Sequence, residues 1–244
     1  MHLDRVAWPD AASLESDLAV LPVGSTEQHG PHAPLGTDSL AATAVAEAGV
    51  EAFDGEVAIA PTLPVGIAAE HRHFAGTLWL EPDTFRATVR DCVASLAHHG
   101  FDRVVCVNGH GGNVDALREV TGEISRHGDA YAVAFTWFEA VGEHAADMGH
   151  AGPLETSLLR AIEPALVVED RIEDARDGAA EGWGEWVSRT NLAHDSAEFT
   201  ESGVVGDPTD GDADRGSELL ELAASSLARL LEAVDSRDLS EPSV

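Results

Sequence analysis

Four short stretches concentrate the side chains that could do chemistry. GSTEQHGPHAPLGTD carries Glu27, His29, His32 and Asp38. Imidazole with carboxylate is the ligand set of zinc, manganese or iron, and a carboxylate such as Asp38 can bridge two ions. Glu27 and His29 stand two apart, so an extended segment turns both to one side. The plain alternative is a polar loop whose acids and imidazoles only cap neighbouring elements. VNGHGGN sets His110 among Gly109, Gly111 and Gly112, between Asn108 and Asn113. Glycines there let the backbone approach closely and turn sharply, and a helix N-terminus after them can take an anionic group. Alone, this turn is at least as readily structural as functional; paired with the first stretch it supplies a further imidazole. DMGHAGPLETS offers Asp147, His150 and Glu155. His150 titrates near neutrality and suits a general acid or base, whereas Glu155 near a helix start is also favoured by the dipole. AEHRHFAGT adds Glu70, His71 and His73, which read as cavity wall or backing for other groups. Gly111 and His71 are expected on the substrate side of the cluster.

The elements that must hold these loops alternate short apolar runs with amphipathic stretches, the pattern of β-α-β units around a mainly parallel, buried sheet. Strands are predicted over 18–24, 57–66, 101–109 and 130–138. Helices are predicted from Asp38 or Ser39 through 53, over 81–100, after VNGHGGN, over 153–164 and over 215–234. Three of the strand ends break into the histidine-bearing loops, and open α/β sheets take their ligands at the carboxyl ends of strands. Residues 168–215 lose apolar periodicity and read as a long acidic surface excursion, with short helices around Trp183 and Trp186. Residues 236–244 read as a frayed tail. The whole chain, 1–244, is expected to be a single domain.

Composition narrows the function classes. The chain has 44 acidic against 14 basic residues, a formal charge of −30, and all of its basic residues are Arg, with no Lys. Such a charge repels nucleic acid. No apolar run reaches the roughly 18–20 residues of a membrane span, and the start MHLDRVAWPD lacks a secretory signature. The expectation is a cytoplasmic protein with neither nucleic acid nor membrane as partner. Acids spread along a lysine-free chain suit a salt-filled cytoplasm, where screening over roughly 3 Å at 1 M removes self-repulsion, so a halophilic, archaeal source is expected. Cys92 and Cys106 lack CxxC spacing and read as core thiols.

The segments LPVGSTEQHGPHAPLGTD, EHRHFAGTLWL, VNGHGGNV, GHAGPLETSL and ESGVVGDPTDGDADRGSEL together resemble the creatininase (creatinine amidohydrolase) family, in its order and over residues 21 to about 220. The resemblance implies a three-layer α/β/α fold with a mostly parallel central sheet, two divalent metal ions (Zn, Mn or Fe), hydrolysis of an amide C–N bond, and a homo-oligomer, often a hexamer. Carried over position by position, the metal residues fall on Glu27, His29, Asp38 and His110, with Asp38 as bridge, and the catalytic histidine on His150. A carboxylate that creatinine-hydrolysing members place two residues after the last metal histidine is here Gly112, leaving Glu155 or a water to complete the second ion. An aromatic position near the site is Ala146, while a family tryptophan matches Trp137, implying a substrate contact. The motifs lie closest to members that trim the mycofactocin precursor peptide; a formamidopyrimidine-nucleotide deformylase and a non-catalytic binding paralogue are the other readings. The implied partner is a small amide or short peptide.

Overall fold

The apolar runs become strands covered on both faces. The computed structural model describes residues 1–128 and 130–239. In it β1 (Leu18–Val23), β2 (Ala58–Ile59), β3 (Arg103–Asn108) and β4 (Tyr131–Thr136) form one parallel sheet in the order β2-β1-β3-β4. Leu18 of β1 pairs with Arg103 of β3, which pairs with Tyr131 of β4. Side chains alternate along each strand. Leu18, Val20, Val105 and Val107 therefore enter one core, and Ala19, Leu21, Val104 and Cys106 the other.

Seven α-helices are described: α1 (Trp8–Ala11), α2 (Thr37–Glu51), α3 (Pro82–His98), α4 (Val114–His127), α5 (Pro153–Ile162), α6 (Ile172–Asp177) and α7 (Ala213–Asp235). Val45, Leu158 and Leu227 bring α2, α5 and α7 onto the first face, while Phe85, Val89, Leu117 and Val120 bring α3 and α4 onto the second. The result is the three-layer α/β/α arrangement. Because the crossover through α2 covers one face and those through α3 and α4 the other, the loops leaving β1 and β3 diverge and open a crevice at their carboxyl ends. Cys106 is buried in this sheet, and burial pushes its thiol up to about 12. It is an inert core thiol. Among the described residues, no helix is long and apolar enough to cross a membrane.

Two expectations change. The strand predicted over 57–66 shortens to Ala58–Ile59, because Pro61 and Pro64 lack the N–H a ladder needs; beyond it only the isolated bridge Val23–Leu63 remains. The stretch 168–215 is neither purely a surface excursion nor helical at its tryptophans. Its strands β5 (Trp186–Val187) and β6 (Thr190–Asn191) form an antiparallel hairpin turning at Ser188 and Arg189, with φ of 51° and 67°. Two successive left-handed residues fit a tight hairpin turn and exclude a helix. Ile172, Ala175, Ser196, Val204 and Val205 of this stretch are buried, and Val205 exchanges backbone hydrogen bonds with His150 at 3.0 and 2.8 Å. Of the tail 236–244, residues 240–244 lie outside the described residues.

Candidate metal centre

Glycine at position 109 is what brings two loops into contact. A Cβ there would lie 2.1 Å from the backbone oxygen of Asp38, so only glycine lets the first turn of α2 abut the end of β3. The asparagines of the same motif clamp the turn. Asn108 donates to the His110 carbonyl at 2.8 Å and accepts from the His110 N–H at 3.1 Å. Asn113 donates to the Gly24 carbonyl and accepts from the Ile67 N–H, each at 3.0 Å. Three loops are thereby fixed around one point.

Buried acids and imidazoles converge there. His110 Nδ1 lies 3.2 Å from both Glu27 Oε1 and Asp38 Oδ2. The other oxygen of Asp38, Oδ1, is 3.2 Å from His29 Nε2, which in turn is 3.7 Å from Glu155 Oε1. Three sets bring their ligand atoms within 4.8 Å of one another: Glu27–Asp38–His110, His29–His150–Glu155 and Glu27–His71–His150. Asp38 thus faces an imidazole with each oxygen, the geometry a bridging carboxylate requires.

Backbone carbonyls set the tautomers. His110 Nε2 donates to the Ile67 carbonyl at 2.7 Å, His150 Nε2 to that of Gln28 at 2.7 Å, and His29 Nδ1 to that of Glu27 at 3.2 Å. Each ring therefore turns its other nitrogen inward, the arrangement by which metal-binding histidines are oriented. His71 differs. Its Nδ1 accepts from the Gln28 amide at 2.9 Å, which leaves an N–H on Nε2, 3.6 Å from Glu27 Oε1. It can hold Glu27 in place rather than supply a lone pair itself.

The donor set fits a cation by what it leaves unsatisfied. Both oxygens of Glu27, His29 Nε2 and Asp38 Oδ2 are buried with no hydrogen-bond partner. Each such atom costs about 1–3 kcal/mol if left so, and divalent cations held in this cluster would satisfy them. The electrostatics agree. Burial pushes the Glu27 carboxyl up to about 7, with Asp38 adding to the rise and His110 opposing it. Burial opposes charge on His29 and His110, yet Asp38, joined by Glu155 and by Glu27 respectively, raises both well above the usual imidazole range. Burial likewise works against the Asp38 carboxylate, but His29 and His110 hold it well below its usual range. Without a cation the cluster therefore retains protons that a metal must displace. Raising the pH removes that competition, so metal binding should tighten from pH 5.5 to 8 and release about one proton or more per chain. Calorimetry of Mn²⁺ binding in buffers of different ionisation heat measures the release; pH-independent binding without it would exclude His29 and His110 as ligands.

The structure brings together Glu27, His29, Asp38, His110, His150 and Glu155. Asp38, His110, His150 and Glu155 among them line a cavity of about 670 Å³, whose wall also includes Gly111, His71, Glu70 and Asp147. Gly112 admits no side chain: a Cβ would lie 2.2 Å from the Ile67 oxygen and 2.5 Å from His110 Nε2. Glu155 is a second carboxylate, after Asp38, that faces His29, steadied by the Ala151 N–H on its Oε2 at 2.6 Å. Burial and the charge of His29 bring His150 down to about 4, and burial with neighbouring imidazoles lowers His71. Both rings are neutral at pH 7.

Other residues fall elsewhere. Trp137 is fully buried in the first core, 5.8 Å from the Phe138 ring, because the 3-10 turn at Trp137–Glu139 directs it between sheet and helices. It presents no surface to a substrate, contrary to expectation. His32 bonds Thr156 at 3.0 Å and His73 bonds Asp195 at 3.0 Å, each joining loops outside the ligand sets. Residues missed in the sequence are Gln28, Ser196, which bonds His71 at 3.0 Å, and Trp183 in the cavity wall. Only Gln28, lying between two candidate ligands, carried a usable signal.

Acids and imidazoles from three loops, meeting beside a cavity at the switch point of a parallel sheet, define an α/β protein with a candidate metal centre. The family profile for creatininase, described as creatinine amidohydrolase, matches residues 4–231. The chain belongs to the creatininase family and is a hydrolase of carbon–nitrogen bonds. It is 36% identical over 222 residues to the mycofactocin precursor peptide peptidase of Mycobacterium ulcerans, covering 86% of this chain and 84% of that one. With the creatinine amidohydrolase of Pseudomonas putida it shares 33% identity over 178 residues, 64% of this chain and 68% of the relative. The solved structure "Creatininase Mn" has a TM-score of 0.81 at 25% identity, covering 97% of this chain and 99% of its own.

Proposed function

We propose that the chain is a two-metal amidohydrolase acting on a short peptide or peptide-like amide. The observation that carries this reading is Asp38 facing an imidazole nitrogen with each oxygen, amid buried polar atoms that have no hydrogen-bond partner. Glu27, Asp38 and His110 would hold one divalent ion, and His29, Asp38 and Glu155 the other, Zn, Mn or Fe. Ions held there supply an acidified water and polarise the amide carbonyl. His71 steadies Glu27 through its Nε2–H. His150, anchored by the Gln28 carbonyl, keeps Nδ1 free to take a proton from the attacking water and return it to the departing nitrogen, which is a poor leaving group unless protonated. The peptide reading is favoured over creatinine by the longer match to the peptidase relative and by a cavity roomier than a compact ring needs.

Elemental analysis and hydrolysis assays of the purified chain test the proposal. About two ions per chain and metal-dependent cleavage of a peptide, with creatinine and a formamidopyrimidine nucleotide as comparison substrates, are expected. One ion or none, with no amide cleaved, would overturn it in favour of a binding paralogue.

We also infer a salt-rich cytoplasm as the setting and a homo-oligomer, with a hexamer expected, as the working form. Trp8, Leu78 and Trp79 are exposed on the isolated chain, and light scattering in high salt reads the assembly. At a charge of −30, self-repulsion relieved by salt should amount to several kcal/mol. With about 2–4 °C of Tm per kcal/mol for a chain of this size, moving from 0.1 to 2 M KCl should raise Tm by roughly 10 °C. An unchanged Tm would remove the halophilic reading.

A further inference from the structure

The cavity over the acid–imidazole cluster has an aromatic wall supplied by a distant part of the chain. His71 and His150 stack at 4.3 Å with their planes 22° apart. The indole of Trp183 stands across both, 5.6 Å from His71 and 6.1 Å from His150, at 73° to each. Phe199 supports it from behind at 5.2 Å.

This position is built rather than incidental. Ala180 pairs with Val205, which pairs with His150, so a short ladder links the backbone before Trp183 directly to the histidine it overlooks. After Trp183, Gly184 adopts φ of 76°, where a Cβ would lie 2.3 Å from Asn191 Oδ1. That oxygen accepts the Glu185 and Ala193 N–H groups at 3.0 and 3.2 Å, and the Trp186 indole donates to the Trp183 carbonyl. The hairpin is thereby closed beside the cavity. Yet Trp183 remains 36% exposed, and its exposed part faces a space also lined by Phe138, Ala146, Met148, Pro153 and Val205. A large aromatic ring left open to a cavity with that lining has a free surface for another flat apolar group.

We propose that Trp183 is a specificity-determining residue whose indole receives an aromatic or other planar apolar group carried next to the scissile amide. This rests on the metal-hydrolase reading above and narrows its substrate class to amides bearing such a group. The chemistry follows from the placement: an amide held near His150 puts its neighbouring substituent within reach of the ring that overlooks that histidine.

The test is calorimetric binding of two chelating probes to the manganese-loaded protein: acetohydroxamate, which is compact, and phenylacetohydroxamate, which adds a ring. The wild type should bind the phenyl probe about tenfold more tightly, a gap of about 1.4 kcal/mol. Trp183→Ala should erase the gap while binding acetohydroxamate within about twofold of the wild type, and Trp183→Phe should keep most of it. The phenyl probe should also change tryptophan emission in the wild type but not in Trp183→Phe, a readout that stands even if the alanine variant folds poorly. Acetohydroxamate binding with no gap in the wild type, or a gap that survives Trp183→Ala, would overturn the role of Trp183 and leave the metal centre standing. Failure of both probes to bind would overturn both readings.

Discussion

Replacing Asp38 by Ala is expected to abolish metal uptake and hydrolysis together. Asp38 is 1% exposed, and its oxygens lie 3.2 Å from His29 Nε2 and from His110 Nδ1; among the described residues no other acid pairs with both imidazoles. Alanine leaves each pair of partners, Glu27 with His110 and Glu155 with His29, without the group that joins them. Metal content should fall from about two ions per chain to less than one, and turnover by about a thousandfold or more, on the scale of lost charge stabilisation in a water-excluded site. Asp38→Asn separates shape from charge. It keeps the volume under Gly109, where the Asp38 backbone makes the close approach, but loses the bridging charge, so it should fail like alanine. The metal-free fold is the control: circular dichroism should remain that of the wild type, even if breaking the buried pairs lowers stability by about 3–5 kcal/mol. A variant that kept both ions and full rate would show that Asp38 does not bridge.

The sheet and the loops that carry the candidate ligands are legible because each is encoded over a short span. β1 and β3 are apolar runs buried on both faces, Glu27 and His29 follow β1 and His110 follows β3 within a few residues, and Asp38 sits in the first turn of α2. Chemistry-bearing types at strand ends therefore pointed to a shared site before any distance was available. What was illegible depends on contacts distant in sequence or on local twist. The bridge between His150 and Val205, and the indole of Trp183 over two imidazoles, join segments whose acidic, aperiodic composition resembles surface. For Trp137 the family resemblance gives a position in the sequence but not the direction of the ring, which is buried in the first core. Which side of the strand end it occupies is decided by one 3-10 turn. The hairpin at Ser188 and Arg189 required two left-handed residues of types that rarely adopt that conformation, so nothing in the local sequence announced it.

Substituting His150 should separate proton transfer from metal binding. His150 Nε2 is committed to the Gln28 carbonyl at 2.7 Å, while Nδ1 lies 3.7 Å from Glu27 Oε1 on the cluster side. Its ring is held down to about 4 by burial and by the charge of His29, so at neutral pH it is a free base able to accept a proton. His150→Gln can retain a hydrogen bond to the Gln28 carbonyl but cannot carry a proton between water and leaving nitrogen. Two ions should remain, bound through Glu27, His29, Asp38, His110 and Glu155, and Tm should stay near that of the wild type. Turnover should fall by about 10²–10⁴, the range for removing a positioned acid–base group. His150→Ala should lose at least as much and regain part of it with added imidazole, because the base can then be supplied from solution. The sign of the pH dependence follows from the lowered value: a group that must be neutral to accept a proton keeps its activity above its folded pKa and loses it as pH falls through that value, so no loss near 6.5 should trace to His150. A glutamine variant with two ions and a rate within tenfold of the wild type would remove His150 from proton transfer and leave its role as an anchor for the Gln28 turn.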